Sequence, residues 1–258
     1  MTSAEDPAVA LLERLAVVLF RPKHPENVGA VGRACLNMGC KRIILVDPRN
    51  YDHERALPLA TVHAEHLLEQ AVTVPDLPRA LGPFTQVYGT TARLGGRRKT
   101  LLTPAQAAGQ IVEQLLEGHD VALVFGPEDR GLTNAEIEAC GHLISIPTAR
   151  SSVSLNLAQA VLVVLYECLQ AARGHRKDTP VKPRSDHVTH AEQEALFAML
   201  QRLLTAIDFI PQDNPDYWML RLRRFWHRMG LHRDEYNVLM GICRQMSWAL
   251  RKKEDGDC

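Results

Sequence analysis

The chain has 258 residues, of which 46% are hydrophobic, and its 30 Lys and Arg balance its 30 Asp and Glu. This length suits one large domain with a smaller one. Because the net charge is zero, the overall charge gives no indication of a nucleic-acid partner, and evidence for one must come from local clusters of basic residues. The six cysteines form no Cys-x-x-Cys pair, which disfavours a zinc knuckle or a redox motif.

The sequence carries no sign of export or membrane insertion. Residues 1–7 are acidic and polar, unlike a signal peptide. The longest apolar run, residues 155–165, is interrupted by Asn156 and Gln159 and is too short to span a bilayer. These observations predict a cytoplasmic protein without a membrane partner.

The first part of the chain alternates between short apolar runs and longer amphipathic segments. Runs rich in Val, Ile and Leu, bounded by Pro, Gly or Asp, predict buried strands. Between them lies a helical stripe that includes Val28 and Cys35, with Gly39 as a helix stop. Strands alternating with helices indicate an α/β fold whose mainly parallel sheet is covered on both faces. The predicted strands are 15–20, 43–46, 86–88, 121–125 and 143–146, and two further helices are 104–117 and 134–140.

The last part of the chain changes character. A long helix is predicted from Leu155, apolar on nearly every side, and a basic stretch with Pro and Gly follows it. Amphipathic helices are then expected at 191–207, 217–229 and 233–250, with a frayed charged tail from Arg251. The predicted organisation is an α/β domain at 1–172, a basic linker at 173–187 and a small all-α domain at 188–258.

A polar segment follows the first predicted strand directly. Asn27 would lie at the start of the next helix, where Gly29 and Gly32 indicate close approach by another backbone or a ligand. Arg33 falls on the face opposite the apolar stripe. It either grips a phosphate through a two-pronged contact or is an ordinary solvent-facing arginine, and the pattern alone leaves both open.

Three predicted strand ends carry Gly, Thr or Ser, after residues 88, 125 and 146. Because the carboxyl ends of parallel strands share one edge of a sheet, these ends predict a small-molecule pocket. Glu128 and Arg130 in the second of them either contact a ligand or pair with each other. The chain has neither a Gly-x-Ser-x-Gly elbow nor a Gly-x-Gly-x-x-Gly or Walker loop, which disfavours a serine hydrolase and dinucleotide or ATP binding.

The histidines do not indicate a metal site. His53, His63 and His66 have a suggestive spacing, but no carboxylate or cysteine pattern completes it. We therefore expect no metal cofactor.

The helix predicted at 217–229 is rich in arginine. Its apolar residues Leu222, Phe225, Trp226 and Met229 are expected to face the core. The opposite face then presents three arginines, which either contact successive phosphates of RNA or form a solvated face balanced by acids elsewhere. These arginines are Arg221, Arg224 and Arg228.

Three segments together resemble the motifs of the SPOUT-class RNA 2′-O-ribose methyltransferases, in order and spacing. They are Asn-Val-Gly-Ala-Val-Gly-Arg-Ala from Asn27, Phe-Gly-Pro-Glu-Asp-Arg-Gly-Leu-Thr-Asn from Phe125, and Ser-Leu-Asn-Leu-Ala-Gln-Ala-Val from Ser154. The resemblance covers about residues 15 to 170. Two later segments, from Met219 and from Glu235, resemble the helical extension of the TrmJ subgroup, which methylates the first nucleotide of the tRNA anticodon loop.

The resemblance implies a set of expectations that the residue patterns do not supply. It implies a deep trefoil knot near the C-terminal end of the catalytic domain, a homodimer with active sites at its interface, tRNA as partner and S-adenosylmethionine as methyl donor. It identifies Asn27 and Arg33 as catalytic-site residues. Since a guanidinium stays protonated, Arg33 is expected to hold a phosphate or stabilise the developing alkoxide. The residues implied at the donor site are Thr90, Thr91, Ala92, Gly126, Ile146, Val153, Ser154, Leu155 and Asn156.

The sequence departs from the TrmJ pattern at two positions. Pro127 stands where arginine is frequent, and Val153 stands where serine is common. These departures leave the exact RNA substrate open. Two other functions therefore stand beside tRNA methylation: ribosomal RNA 2′-O-methylation, and non-catalytic RNA binding on the same fold.

Overall fold

The chain divides into two compact units, Met1–Ser185 and Asp186–Cys258, in the computed structural model. The structure describes residues 6–92, 101–149, 154–175 and 181–256, without the side chains of 227–229 and 253–256. Within these ranges, no helix combines the length and hydropathy that a membrane span needs.

A seven-stranded parallel sheet forms the centre of the first unit, with the strand order β3-β2-β1-β6-β4-β7-β5. All the predicted strands have a counterpart in the sheet, although the strand predicted at 143–146 ends at Ile144, two residues early. The sequence analysis missed β3 and β5 because runs of three and two residues are too short to show a periodic pattern. The strands are β1 Leu15–Phe20, β2 Arg42–Val46, β3 Val72–Val74, β4 Gln86–Thr90, β5 Leu101–Leu102, β6 Val121–Phe125 and β7 His142–Ile144.

Helices cover both faces of this sheet, as the alternating pattern predicts. Successive residues of β1 point to opposite faces: Val17 and Leu19 belong to one buried cluster, whereas Ala16 and Val18 belong to the other. Helices α1, α2, α3, α5 and α7 pack on the first face, and α4 and α6 on the second. Their bounds are α1 Pro7–Leu12, α2 Pro25–Met38, α3 His53–Glu69, α4 Leu77–Leu81, α5 Pro104–Leu116, α6 Asn134–Glu138 and α7 Leu157–Gly174.

Helix α2 lies unusually close to α3. A Cβ placed on Gly29 would lie 1.9 Å from the carbonyl oxygen of Ala56, and one on Gly32 would lie 2.9 Å from the Leu68 side chain. The predicted close approach by another backbone is therefore confirmed at Gly29, whereas the close neighbour of Gly32 is the Leu68 side chain. Gly39 ends α2 with φ at +79°, the left-handed conformation that favours glycine at a helix end.

Helix α7 begins at Leu157, so its predicted start at Leu155 is wrong by two residues. Asn156 is its N-cap, and its side-chain oxygen accepts from the Ala158 N–H at 2.9 Å. One side of α7 is buried on the sheet, while Leu162 and Tyr166 are exposed. The trefoil knot remains a prediction, because residues 150–153 of the segment expected to form it lie outside the described residues.

Part of the predicted basic linker is attached to the first unit. The Lys182 N–H donates to the Leu116 carbonyl at 2.8 Å, and the Ser185 N–H donates to the Gly118 carbonyl at 2.9 Å. Gly118 has a φ of +87°, and a Cβ there would lie 1.9 Å from the Pro183 carbonyl oxygen. A glycine is therefore needed where this segment crosses the turn after α5.

The second unit consists of α8 His190–Ala206, α9 Pro215–Met229 and α10 Arg233–Gly256. Leu222 and Trp226 pack against its core as predicted. Phe225 does not: it is exposed, and that prediction is wrong because the helix turns its buried face toward Met219 instead. The predicted fraying from Arg251 is also wrong, since α10 continues to Gly256.

Candidate active site

A cavity of about 400 Å³ opens at the carboxyl ends of β4, β6 and β7. These strands are neighbours in the sheet, so their last residues, Thr90, Phe125 and Ile144, lie side by side on its rim. The convergence of strand ends predicted from the sequence is confirmed. The volume lies in the range of sites that bind small molecules.

Most of the residues implied at the donor site line this cavity. Apolar side chains of Ile144, Leu132 and Leu157 form one part of its wall, and hydroxyls of Thr90, Thr91 and Thr148 belong to it too. Val153 lies outside the described residues, and Asn156 is not in the lining. The implied residues that do line the cavity are Thr90, Thr91, Ala92, Gly126, Ile146, Ser154 and Leu155.

The loop after β6 forms the polar side of the cavity. Its two ends touch: a Cβ on Gly126 would lie 2.5 Å from the carbonyl carbon of Gly131, so no larger residue fits there. Gly131 itself has a φ of +64°, and its N–H donates to the Pro127 carbonyl at 2.8 Å. This tight turn presents three consecutive charged residues at the cavity, Glu128, Asp129 and Arg130.

Glu128 ties this loop to the start of α2. Its carboxylate accepts from the Asn27 side-chain amide at 2.8 Å, from the Lys23 N–H at 2.9 Å and from the His24 N–H at 3.4 Å. Lys23 also pairs with Asp129 through its Nζ at 2.7 Å. The start of α2 and the β6 loop, about a hundred positions apart in the chain, therefore form one hydrogen-bonded cluster beside the cavity.

The same hydrogen-bonded cluster includes the N-cap of α7. The Asn156 side-chain amide donates to Asn27 Oδ1 at 2.9 Å, while its own oxygen caps the helix. Glu128, Asn27 and Asn156 form a continuous chain of hydrogen bonds from the β6 loop through Asn27 of α2 to the start of α7. All three segments of the family resemblance contribute one member to it.

Hydrogen bonding keeps Glu128 ionised. Burial of this half-buried side chain on its own would raise its pKa, but the hydrogen bonds from Asn27 and from the Lys23 and His24 backbone outweigh burial, and the pKa is lowered. The carboxylate is therefore an acceptor only, which fixes the Asn27 amide nitrogen toward Glu128 and the Asn27 oxygen toward Asn156.

Arg130 pairs with Glu136 at 3.8 Å, so the predicted alternative of a Glu128–Arg130 ion pair does not form. Glu128 and Arg130, for which the sequence left a ligand contact open, both line the cavity, and so do Asp129 and Thr148, which the sequence analysis did not assign to the donor site. Their position directly after two strand ends was the available signal.

Arg33 lies on the exposed face of α2 and is not in the cavity lining. Ala30 and Asn37 share this face, as the helical spacing predicts. Among the described residues, no carboxylate lies within ion-pair distance of Arg33, whereas the nearby Glu26 pairs with Arg55 at 2.7 Å. Its guanidinium is available to an external anion.

The predicted RNA-binding arginines lie on α9 of the second unit. Arg221 is exposed and Arg224 is half-buried, while the side chain of Arg228 lies outside the described part of the chain. The histidines considered for a metal all fall in α3, and no group of three metal-ligating side chains occurs within the described ranges.

Comparison with known proteins identifies the family. The model of the SpoU rRNA methylase family matches residues 14–166, and the C-terminal domain model of tRNA methyltransferase TrmJ matches residues 191–256. A tRNA (cytidine/uridine/adenosine-2′-O-)-methyltransferase TrmJ from Pseudomonas aeruginosa is 37% identical over 93% of this chain and 96% of its own length.

Solved structures agree with these matches. The crystal structure of TrmJ from Z. mobilis ZM4 superposes with a TM-score of 0.76 at 31% identity, covering 90% of this chain and 98% of that one. A probable methylase family protein from Haemophilus influenzae gives a TM-score of 0.61 at 30% identity, over 96% and 100% of the two chains. The chain therefore belongs to the SpoU methylase family and, within it, to the TrmJ group.

Proposed function

We propose that this protein transfers a methyl group from S-adenosylmethionine to a ribose 2′-hydroxyl of tRNA, at the first nucleotide of the anticodon loop. The observation that carries the proposal is the cavity at the ends of β4, β6 and β7, joined to the Glu128–Asn27–Asn156 chain. These features lie within the residues that match the methylase family model.

The chemistry of the cavity fits this donor. Its volume and its mixed apolar and hydroxyl walls suit a nucleoside. Glu128 and Asp129 line the cavity, and their negative charges favour a cationic sulfonium or ammonium, while the Arg130 charge favours a carboxylate. When bound, S-adenosylmethionine supplies an electrophilic methyl group on a positively charged sulfur.

The chain's own residues position the reactants. Thr90 Oγ1 donates to the Val124 carbonyl at 3.0 Å and the Thr91 N–H donates to the Ile144 carbonyl at 2.9 Å, so one side-chain and one backbone hydrogen bond hold the β4 end of the donor site. The Glu128–Asn27–Asn156 chain holds the start of α2 beside the cavity. Such pre-set geometry lowers the barrier without a change in donor chemistry.

Arg33 is proposed to hold the RNA rather than to remove its proton. A guanidinium is a poor base because it stays protonated, but it binds a phosphate or a developing alkoxide through two parallel donors. Its exposure on α2 and its lack of a carboxylate partner among the described residues support this role.

The proposed acceptor is tRNA because the match to the relatives spans both units. The Pseudomonas aeruginosa protein, named a tRNA methyltransferase, aligns over 93% of this chain, and the second unit matches the TrmJ C-terminal model. The arginines of α9, Arg221, Arg224 and Arg228, are proposed to contact its phosphates.

The active form is proposed to be a homodimer. Leu162 and Tyr166 are exposed on α7, whose other side is buried on the sheet, and a second copy of the chain would cover them. Sedimentation equilibrium of the full chain tests this, because a monomer at micromolar concentration contradicts the proposal.

The experiment for the proposed reaction is methyl incorporation from tritiated S-adenosylmethionine into tRNA transcripts by the full chain. A matched transcript carries a 2′-deoxynucleotide at the first position of the anticodon loop and so lacks the acceptor oxygen. We expect incorporation into the ribose transcript only. Equal labelling of both transcripts contradicts the site, and labelling of ribosomal RNA alone contradicts the tRNA assignment.

A further inference from the structure

Helix α9 exposes three aromatic rings on a single face. Tyr217, Trp218 and Phe225 are 43%, 41% and 44% exposed, so more than two fifths of the surface of each residue is accessible to a ligand. At 100° per residue, Tyr217, Trp218, Arg221 and Phe225 fall within about a third of the helix circumference. We call these four residues the α9 platform.

The rings of the α9 platform are ordered against each other and against a cation. Tyr217 and Trp218 are 5.9 Å apart at an interplanar angle of 86°. The Arg221 guanidinium carbon lies 5.8 Å from each ring centroid, and its Nη2 donates to the Tyr217 hydroxyl at 3.5 Å. Within the platform, the rings of Tyr217 and Trp218 and the charge of Arg221 are therefore already arranged before a ligand binds.

The core of the second unit does not use this face. Met219 is buried and Leu222 and Trp226 pack beside it, on the opposite side of the helix. Arg223 on that side is neutralised by Glu194. Among the described residues, no carboxylate comes within ion-pair distance of Arg221, so the platform keeps its positive charge.

Charge decides between the possible occupants of the platform. Helix α9 contains four arginines and one acid, Asp216, which lies at its start and accepts from Gln201. A surface of π-faces and guanidinium groups matches unpaired nucleotides, which offer bases for stacking and phosphates for pairing. An apolar protein surface offers no negative groups to compensate the excess positive charge of α9.

We infer that the α9 platform binds an unpaired nucleotide of the RNA, with the base stacked on Trp218 or Tyr217 and a neighbouring phosphate held by Arg221. This inference rests on the proposed function, since it takes RNA as the substrate. It adds that the second unit recognises single-stranded nucleotides rather than only the charge of a duplex backbone.

The test compares RNA binding by full-length variants across the same series of salt concentrations for every variant, using anisotropy of labelled RNA. Trp218→Leu removes the π-face but keeps an apolar side chain, and Trp218→Phe restores a ring. Trp248→Leu is the matched control, because Trp248 is also exposed and has a cation, Lys252, 5.2 Å from its ring centroid, but lies on α10. The probes are a tRNA transcript and a blunt RNA duplex without unpaired nucleotides.

We expect Trp218→Leu to weaken tRNA binding by about 5- to 150-fold, the effect of losing one stacked base. Trp218→Phe should restore most of the affinity, Trp248→Leu should match the wild type, and duplex binding should change little. Arg221→Gln should reduce the slope of log affinity against log salt by about one, whereas Trp218→Leu should leave it unchanged.

Three outcomes overturn the inference. They are wild-type tRNA affinity in Trp218→Leu, an equal loss of tRNA and duplex binding, and failure of Trp218→Phe to restore binding although circular dichroism shows it folded. The two proposals fail separately. If the protein methylates tRNA but Trp218→Leu does not change binding, only the proposal for the α9 platform is refuted. If binding depends on Trp218 but no methyl group is transferred, only the proposed reaction is refuted.

Discussion

The Asn27 side-chain amide donates to Glu128 at 2.8 Å across 101 positions of sequence. Because an ionised carboxylate only accepts, this bond sets the orientation of the Asn27 amide, whose oxygen then accepts from Asn156. Because the Asn156 amide nitrogen donates to Asn27, its side-chain oxygen is the atom that caps α7, where it accepts from the Ala158 N–H. The charge of one side chain thus orders two amides and a helix start beside the cavity.

Glu128→Gln tests this relationship. An amide at position 128 directs N–H groups at either the Lys23 N–H or the Asn27 amide, which leaves a donor without an acceptor. We expect a loss of about 1–3 kcal/mol in the free energy of unfolding and a marked loss of methyl transfer. Chemical denaturation followed by circular dichroism measures the first. Asp129→Asn, which breaks an exposed ion pair with Lys23, should leave the free energy of unfolding close to the wild-type value.

Arg33→Ala should lower methyl transfer by about 100- to 1,000-fold, since it removes a donor aimed at developing or phosphate charge. Calorimetric binding of S-adenosylmethionine should stay near the wild-type value, because Arg33 is not in the cavity lining. Asn37→Ala, on the same exposed face of α2, is the control and should remain active. Wild-type turnover of Arg33→Ala refutes the assignment.

Two glycine substitutions should have opposite effects on stability. Gly29→Ala forces a Cβ to within 1.9 Å of the Ala56 carbonyl oxygen, and moving α2 from α3 should cost about 1–3 kcal/mol or more. Gly109→Ala, within α5, meets nothing within 4 Å and should stabilise the protein by about 0.5–1 kcal/mol. Thermal unfolding of both variants measures the difference, and equal shifts contradict the packing account.

The second unit should lose stability in acid through Glu192. Its hydrogen bonds from Arg233 and Thr189 lower the pKa of Glu192 from 4.5 to about 2, against the opposing effect of burial. A lowered pKa contributes stability that is complete above about pH 4.5 and is lost as the pH falls toward 2.

The tryptophan fluorescence of the protein reports this loss directly, because all three tryptophans lie in the second unit. Denaturation at successive pH values should show a steeper loss of stability for the wild type than for Glu192→Gln across this window. Asp234→Asn, on the exposed first turn of α10, should keep the wild-type slope. Identical slopes for all three proteins count against the Glu192–Arg233 pair.

The strand ends around the cavity follow from local patterns and one general rule. Val121–Phe125 is apolar throughout because both faces of its strand are buried, so its end at Gly126 is readable directly. Parallel pairing then brings that end beside the end of β4 at Thr90, and Thr90 in turn beside Ile144 of β7. No local pattern, however, shows that Glu128 meets Asn27 instead of Arg130, since that choice depends on where α2 and the β6 loop lie in space.

The same distinction applies to α9. Its helical period is clear from the sequence, but the period does not determine which side of a wide apolar stripe is buried. Packing of Met219 and Trp226 against the second unit places Phe225 outside, where it joins Trp218. The predicted core residue is thereby an exposed ring.

The sequence alone determined the parallel α/β architecture, the helical second unit, the three motifs and the edge of the sheet where the pocket lies. These features are readable because the spacing of apolar residues and the residues that form turns are patterns within short stretches of the chain. Tertiary structure alone decided which groups meet at that edge: the Glu128 contacts, the Gly29–Ala56 approach and the exposed face of α9. Such contacts join segments separated by tens to a hundred residues, and their partners are selected by the packing of whole elements.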